Sequence, residues 1–243
     1  MSMTPRDIAR MLDHSTLQPN LTDTDINKGC DIALLYETAT VCARPSDVKI
    51  LVRKLTGSTV KACTVIGFPH GAQTSSAKLF EAEEALAEGC AELDMVINIG
   101  KLLSGDMDYI ENEIRLIASA AHKTGALLKV IIETCYLTDE QKIAVCKLAE
   151  KAKTDFVKTS TGYGNAGCTI HDLKLMRGAV SGRVRVKGSG GIRDLDTVLS
   201  AAAAGAARCG VSATEAIMNE AEKRYREGTL TGVITLTEMN GAY

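Results

Sequence analysis

A lysine past the middle of the chain lies in a setting that favours carbonyl chemistry. Lys158 belongs to the run 155–162, in which aromatic, β-branched and small hydroxyl residues lead into a glycine turn. Side chains alternate along a strand, so Lys158 shares a face with Phe156 and is predicted to point into packed protein. Burial disfavours the ammonium form and lowers the pKa of a lysine, which yields a neutral amine that attacks carbonyl carbon. The alternative is an edge-strand lysine whose amine extends to water.

A carboxylate and a second lysine are predicted to face the same interior. Alternation in the strand 91–99 places Asp94 opposite the apolar residues of that strand. If the apolar set packs against helices, Asp94 faces inward, where an ionised carboxylate needs a partner such as a lysine. A purely structural ion pair is the alternative. Lys187 ends another strand, and its charge beside Lys158 would further disfavour protonation of that amine.

Two turns late in the chain have the composition of a phosphate site. Residues 188–191 read Gly-Ser-Gly-Gly, and residues 209–213 lead into a helix. Backbone N–H groups at glycine turns and helix starts bind phosphate, and barrels commonly place a phosphate after the seventh and eighth strands. Phosphate binding is therefore predicted there, although a Gly-Ser-Gly-Gly run also suits any tight turn. The glycine-rich loop 162–167 fits either a loop that closes over a substrate or a plain surface turn.

Eight predicted strands alternate with helices and would bring these residues together. The strands are predicted at about 12–17, 38–43, 58–66, 91–99, 126–134, 155–160, 183–187 and 206–211. Strict alternation of strand and helix requires parallel strands with crossover helices. Eight such units in 243 residues predict an α/β fold, a single (β/α)8 TIM barrel, with a doubly wound open sheet as the alternative. Residues 1–243 would form one domain, with a short N-terminal helix at about 5–11 and a C-terminal tail at about 228–243.

The composition excludes several kinds of partner. A formal charge of −2 at pH 7, three Phe and no Trp offer neither a basic surface nor stacking side chains for nucleic acid. The N-terminus has no apolar signal region and no run approaches the ~18 apolar residues that span a bilayer, so a cytoplasmic protein without membrane contact is predicted. Eight cysteines are scattered and four histidines are isolated, which predicts no metal site. Cys42 and Cys135, each near a strand end, either border the site or pack as buried thiols.

Five motifs together resemble the deoxyribose-phosphate aldolase family, whose members are class I aldolases. The motifs are VKTSTG (157–162), ELDMVINIG (92–100), VKGSGGIR (186–193), CTVIGFP (63–69) and LLKVIIET (127–134). The resemblance extends over about residues 12–212 and implies a (β/α)8 barrel. It also implies reversible cleavage of 2-deoxy-D-ribose 5-phosphate to acetaldehyde and D-glyceraldehyde 3-phosphate through a lysine imine, with no metal and no organic cofactor. The implied partners are a small sugar phosphate and aldehydes, with a homodimer or another homo-oligomer as the assembly.

The resemblance implies a role for each matching residue. Lys158 matches the Schiff-base lysine, Lys187 the second lysine that lowers its pKa, and Asp94 the carboxylate of a proton relay. Asp13 matches a supporting acid on the first strand, and Cys42 and Thr161 are further supporting candidates. The residues that match positions near the substrate phosphate are Gly190, Gly191 and Ser212.

Two positions depart from the family pattern. The family usually has alanine where Gly188 stands and often a second serine where Ala213 stands, so one hydroxyl is expected to be missing from the phosphate site. Some members end in a tyrosine that reaches the active site, and Tyr243 ends this chain in a tail that does not align with theirs.

Open alternatives are an aldolase for a different phosphorylated aldol, a sugar-phosphate isomerase with a carboxylate base, and a catalytically inactive phosphate-binding barrel.

Overall fold

Eight parallel strands close into a barrel in the computed structural model, which describes residues 3–231. Each strand pairs with the next along the chain, and β8 pairs with β1 to complete the ring. The strands are β1 Leu12–Thr16, β2 Thr40–Ala43, β3 Lys61–Ile66, β4 Glu92–Val96, β5 Leu127–Ile131, β6 Phe156–Lys158, β7 Arg185–Ser189 and β8 Ala206–Val211. The predicted (β/α)8 barrel is confirmed, and the open-sheet alternative is wrong.

Helices connect successive strands, and several begin at the caps that the sequence predicts. The α-helices of the described residues are α1 Pro5–Ala9, α2 Asp23–Tyr36, α3 Val48–Leu55, α4 Ser75–Ala87, α5 Ile99–Leu103, α6 Met107–Lys123, α7 Asp139–Lys151, α8 Ile170–Ala179, α9 Leu195–Ala203 and α10 Thr214–Arg226. Thr22 caps α2 and Thr138 caps α7 in capping boxes, in which the cap side chain and the third helical residue bond each other's backbone N–H. These bonds satisfy N–H groups that a helix start leaves free.

The main apolar core lies between the barrel and its helices. Leu93 and Met95 of β4 belong to one buried cluster with helix residues such as Ile114 and Ile117 of α6. Because side chains alternate along a strand, the neighbouring residues of β4 point to the barrel interior. Glu92 and Asp94 therefore face inward, as predicted for Asp94.

One predicted strand is too long, and it conceals a helix. The strand predicted at 91–99 ends at Val96, and α5 begins at Ile99. Asn98 caps this helix by accepting a hydrogen bond from the Lys101 N–H at 3.1 Å. Ile97 and Asn98, between Val96 and Ile99, continue the alternation of the strand, so periodicity alone did not reveal the helix.

Smaller shifts affect other boundaries. The strand predicted at 183–187 lies at Arg185–Ser189, so Gly188 belongs to the barrel wall and not to a loop. The N-terminal helix ends at Ala9 and not at residue 11. Most of the predicted tail, including Tyr243, lies outside the described residues. Within residues 3–231 no helix combines the length and apolar character needed to cross a membrane.

Candidate active site

A cavity of about 280 Å³ opens at the C-terminal ends of the strands. This is the end at which (β/α)8 barrels place their active sites. Lys158, Lys187, Asp13 and Cys42 line it from the strands. The loops after β6, β7 and β8 supply further lining residues, among them Thr161, Gly162, Tyr163, Gly190, Gly191, Arg193 and Ser212. The cavity therefore gathers most of the residues predicted for the site.

Lys158 and Lys187 occupy paired positions on β6 and β7. Lys158 exposes 3% of its surface, so the predicted burial of its side chain is confirmed. Both ammonium groups contact the same oxygen of Asp94, with Nζ–Oδ2 distances of 2.7 Å for Lys158 and 2.8 Å for Lys187. The structure thus joins three side chains that the sequence places on three separate strands.

A third lysine, which the sequence interpretation missed, contacts the other oxygen of Asp94. Lys129 lies opposite Asp94 on β5, and its Nζ is 2.7 Å from Asp94 Oδ1 and 2.6 Å from Glu92 Oε2. Lys129 is fully buried, beneath the residues that line the cavity. A lysine between Leu128 and Val130 was a signal for an inward cation, but its partners on β4 could not be read from the sequence.

Asp13 and Arg208 extend the charged cluster to β1 and β8. Asp13 Oδ2 lies 2.5 Å from Lys187 Nζ and 3.7 Å from Lys129 Nζ. Its other oxygen accepts a hydrogen bond from Arg208, whose guanidinium also contacts Glu92 at 3.2 Å. The supporting acid expected at Asp13 is therefore a direct partner of the second lysine. Arg208 was not anticipated from the sequence.

Burial and ion pairing shift the pKa values of this cluster in opposite directions. Burial alone would raise the pKa of Asp94, but Lys129, Lys158 and Lys187 hold it well below its usual range. Burial alone would lower the pKa of Lys187, but Asp13 and Asp94 raise it above its ordinary value. The pKa of Lys129 is raised as well, chiefly by Asp94 against the effect of burial. At neutral pH Asp94 is therefore a carboxylate, and Lys187 and Lys129 are ammonium ions.

Two thiols lie beside Asp94. Cys42 and Cys63 occupy paired positions on β2 and β3, and Cys63 Sγ is 3.4 Å from Asp94 Oδ1. A hydrogen bond with Cys63 lowers the pKa of Cys42, whereas burial raises that of Cys63. The ligand atoms of Cys42, Cys63 and Asp94 lie within 4.8 Å of one another, a spacing that suits a metal ion. The ammonium groups already held by Asp94 disfavour a further cation there.

A glutamate that the sequence interpretation did not single out orients Thr161. Glu133 is buried, and its carboxylate accepts hydrogen bonds from the Thr161 N–H, at 3.1 Å to Oε2, and from the Thr161 hydroxyl. The hydroxyl oxygen in turn accepts a hydrogen bond from the Tyr163 N–H at 3.0 Å. Burial raises the pKa of Glu133, while the bonds from Thr161 oppose that shift. Thr161 is therefore held in a defined position at the cavity.

The predicted phosphate residues line the same cavity as Lys158. Gly190 and Gly191 have φ values of 85° and 81°, in the left-handed region that favours glycine. Ser212 lies just before α10, whose N-cap Ala213 makes no side-chain hydrogen bond to the first turn. Backbone N–H groups at such a helix start attract an anion. The guanidinium side chain of Arg193 also lines the cavity, and sequence reasoning had not assigned it a role.

The departure at Gly188 concerns packing outside the barrel. A Cβ at this position would lie 3.0 Å from Cys168 Sγ and 3.4 Å from Ile192 Cδ1. An alanine would therefore require Cys168 to shift. Glycine at residue 188 fits the size of Cys168, and Gly188 is not among the residues that line the cavity.

The fold and the site together define a (β/α)8-barrel enzyme of the kind that uses a buried lysine. The family model described as "DeoC/LacD family aldolase" matches residues 8–233. The chain belongs to this family of aldolases.

Similar proteins and solved structures carry the name deoxyribose-phosphate aldolase. A deoxyribose-phosphate aldolase of Rhodopirellula baltica is 49% identical over 218 residues, which are 90% of this chain and 90% of the relative. One from Clostridium perfringens is 48% identical over 215 residues, 88% of this chain and 96% of the relative. The solved structure of a deoxyribose phosphate aldolase from Aeropyrum pernix, described as tetrameric, is 30% identical with a TM-score of 0.82 and covers 92% of each chain.

Proposed function

We propose that the chain catalyses the reversible cleavage of 2-deoxy-D-ribose 5-phosphate to acetaldehyde and D-glyceraldehyde 3-phosphate through an imine on Lys158. The observation that supports this most directly is the buried Lys158 amine, which lines the cavity and shares Asp94 with Lys187. The relatives named deoxyribose-phosphate aldolase, at 49% and 48% identity over most of the chain, support the choice of substrate.

Lys158 is assigned as the nucleophile because of its contacts. In the part of the chain that the structure describes, Lys158 has one carboxylate ion-pair partner, Asp94, whereas Lys187 also contacts Asp13. Lys129 contacts Asp94, Glu92 and Asp13 beneath the cavity. Among these three lysines, loss of a proton from Lys158 breaks the fewest ion pairs, and the amine that results faces the space where a substrate binds.

The reaction follows from these positions. The neutral Nζ of Lys158 attacks C1 of the open-chain sugar phosphate, and loss of water gives an iminium ion. The electrons of the C2–C3 bond move into this iminium as the bond breaks, which gives an enamine. The C3 hydroxyl loses its proton, and D-glyceraldehyde 3-phosphate leaves. Protonation of the enamine at C2 and addition of water then release acetaldehyde and the free amine.

Lys187 and Asp94 are assigned to proton transfer. Lys187 lines the cavity and contacts Asp94 and Asp13 behind it. Asp94 itself is fully buried, so it exchanges protons with the substrate through Lys187 and water. Cys42 and Thr161 are assigned as supporting residues that border the reacting atoms from the cavity wall.

The other end of the substrate is assigned to the turns after β7 and β8. Gly190, Gly191 and Ser212 would bind the phosphate through backbone N–H groups and a hydroxyl, and Arg193 would add a positive charge. Binding the phosphate there holds C1 near Lys158, so that remote binding energy supports the chemical step.

Borohydride trapping tests the assignment. Reduction in the presence of acetaldehyde should add a two-carbon group to Lys158, identified by peptide mass mapping. Lys158→Ala should remove the adduct and lower cleavage on the order of 10⁴-fold or more with the fold retained. Lys174→Ala, which changes an exposed lysine of α8, is the matched control and should leave both unchanged. An adduct at another lysine would show that the nucleophile is misassigned.

Three alternatives have distinct outcomes. An aldolase for a different phosphorylated aldol is favoured by Ala213, which lacks the hydroxyl common at that position, and cleavage assays over a panel of sugar phosphates separate the two substrates. A sugar-phosphate isomerase would use a carboxylate base and form no imine, so it would be insensitive to borohydride. A catalytically inactive barrel would neither form the adduct nor cleave any aldol.

Assembly, location and partners stay predictions. We expect a homodimer or another homo-oligomer, and the Aeropyrum pernix relative is described as tetrameric. Light scattering after size-exclusion chromatography measures the assembly. A cytoplasmic location is consistent with eight cysteines that are all free thiols, and cell fractionation tests it. No metal or organic cofactor and no nucleic-acid partner are expected, and activity after dialysis against a chelator tests the first point.

A further inference from the structure

A second layer of charged side chains lies beneath the cavity. Lys129, Glu92 and Arg208 come from β5, β4 and β8, and all three are mostly or fully buried. Lys129 contacts Glu92 at 2.6 Å, and Arg208 contacts Glu92 at 3.2 Å. We name these three residues the lower layer. They lie beneath the residues that line the cavity, so a substrate in the cavity would not touch them.

The lower layer is joined to the cavity residues by direct ion pairs. Lys129 contacts Asp94 at 2.7 Å, and Arg208 donates a hydrogen bond to Asp13. Asp94 and Asp13 in turn contact the cavity lysines Lys158 and Lys187. A change of charge at Lys129 therefore acts on Lys158 across one carboxylate, Asp94, whereas a change at Glu92 or Arg208 acts through a longer series of ion pairs. All of these paths run through protein from which water is largely excluded.

The connected cluster contains more cations than carboxylates. Its carboxyl groups are Asp13, Glu92 and Asp94, and its basic groups are Arg208, Lys129, Lys187 and Lys158. One excess positive charge remains when every group is ionised. An uncompensated charge is costly inside a protein, so loss of one proton brings the cluster to balance.

The contacts decide which group gives up that proton. Arg208 does not deprotonate in proteins. Lys129 and Lys187 each contact at least two carboxylates, whereas Lys158 contacts Asp94 alone in the described part of the chain. The proton whose loss breaks the fewest ion pairs is therefore the one on Lys158.

We propose that Lys129, Glu92 and Arg208 are positioning residues that set the pH at which the Lys158 amine becomes available, through their charge and without contact with the substrate. This inference rests on the proposed function, because it concerns the amine that forms the imine. It assigns a role in the reaction to residues that the cavity does not expose.

Other ionisable groups also face the cluster. Cys42 and Cys63 lie next to Asp94, with the pKa of Cys42 lowered by a hydrogen bond with Cys63 and that of Cys63 raised by burial. Glu133 follows β5 and is bonded to Thr161, and burial raises its pKa, whereas Thr161 and the nearby Lys158 charge oppose that shift. Arg185 of β7 stacks on Phe156, with its guanidinium carbon 4.0 Å from the ring centroid. The variants below leave all of these groups in place, so differences from the wild type isolate the lower layer.

The test compares substitutions of opposite charge in one network. Trapping with acetaldehyde and cyanoborohydride is measured across a range of pH, because acetaldehyde has no group that titrates. Lys129→Met removes a cation and should move the acid limb of trapping at Lys158 up by about 1 pH unit. Glu92→Gln removes an anion at nearly constant shape and should move it down by a similar amount.

Arg208 supplies the control. Arg208→Met should move the acid limb in the same direction as Lys129→Met, whereas Arg208→Lys keeps the charge and should leave the limb at the wild-type pH. A purely structural role for the lower layer would lower the trapping rate in all variants without shifts of opposite sign. If Lys129→Met does not fold by circular dichroism, Glu92→Gln and the Arg208 pair decide the question.

The outcomes separate this inference from the proposed function. A wild-type protein with no adduct at Lys158 would overturn the proposed function. An adduct in the wild type with unshifted limbs, or with limbs shifted the same way by Lys129→Met and Glu92→Gln, would overturn the role of the lower layer alone. The two opposite shifts are the result expected.

Discussion

Lys158 and Lys187 face each other across β6 and β7 and donate to the same carboxylate oxygen, Asp94 Oδ2, at 2.7 Å and 2.8 Å. Two ammonium groups that share one oxygen repel each other, and within residues 3–231 Asp94 is the one carboxylate that forms an ion pair with Lys158. Lys187 forms a second ion pair, with an Nζ–Oδ2 distance of 2.5 Å to Asp13. This difference in partners supports the assignment of Lys158, and not Lys187, as the nucleophile of the proposed function.

Lys187→Met should raise the pH at which the imine forms. Loss of the neighbouring cation makes the ammonium form of Lys158 more favourable, so the acid limb should move up by about 1 pH unit. The rate of trapping with acetaldehyde and cyanoborohydride over a pH series measures this. Lys187→Arg keeps the charge and serves as the control. An unchanged limb in Lys187→Met would remove Lys187 from the account of amine activation.

Arg193→Ala should weaken the use of phosphorylated substrate. Arg193 lines the cavity beside Gly191, and a charge-assisted contact with phosphate contributes roughly tenfold or more in binding. KM for 2-deoxy-D-ribose 5-phosphate should therefore rise by about that factor, while kcat/KM for unphosphorylated 2-deoxyribose stays the same. Arg226→Ala, at the opposite end of α10 from the cavity, is the control. Equal losses on both substrates would show that Arg193 does not act on the phosphate.

Lys78 and Glu113 form a buried ion pair outside the cavity, and its disruption should destabilise the fold. Lys78 Nζ lies 2.7 Å from Glu113 Oε1 and donates to the Val96 carbonyl at 2.7 Å. Val96 is the last residue of β4, the strand that carries Asp94. Lys78→Met leaves the Glu113 carboxylate buried without its cation, which should cost ~3–5 kcal/mol of unfolding free energy in urea. The double variant Lys78→Met/Glu113→Gln should be more stable than Lys78→Met. A double variant that is no more stable would contradict the unpaired-charge explanation.

His14 should make the stability of the protein fall in mildly acidic solution. Its ring is buried, Nδ1 lies 2.9 Å from Thr214 Oγ1, and burial lowers its pKa from 6.5 to about 4. At a pH between these two pKa values, His14 binds a proton in the unfolded chain but not in the folded protein. Stability from this source is complete above pH 6.5 and falls by about 3 kcal/mol as pH drops to about 4.

Urea unfolding at several pH values, compared between the wild type and His14→Asn, measures this contribution. The variant should show a shallower loss of unfolding free energy between the two pKa values, because its side chain does not titrate. His171→Asn, which changes an exposed histidine, should follow the wild type. The same pH dependence in wild type and His14→Asn would show that His14 is not the source.

The residues that form the site differ in how far the sequence could predict them. Alternation along single strands is a local property, and it is enough to predict inward faces for Lys158, Asp94 and Lys187. The alternation of predicted strands and helices along the chain likewise indicated the barrel. The glycine turns indicated where a phosphate site is proposed. Alternation wrongly extended β4 to residue 99, because α5 begins at Ile99 with the polar side chain of Asn98 as its N-cap.

Contacts between distant strands depended on the closed barrel. Lys129 meets Asp94 because β5 pairs with β4 in one register, and Arg208 reaches Asp13 because β8 closes onto β1. Glu133 bonds Thr161 because the turns after β5 and β6 lie side by side. The sequence by itself determined that Lys158, Asp94 and Lys187 face inward, and it predicted an anion site at the turns after β7 and β8. Only the tertiary structure decided which charges touch, because strand register and barrel closure join residues that no local pattern relates.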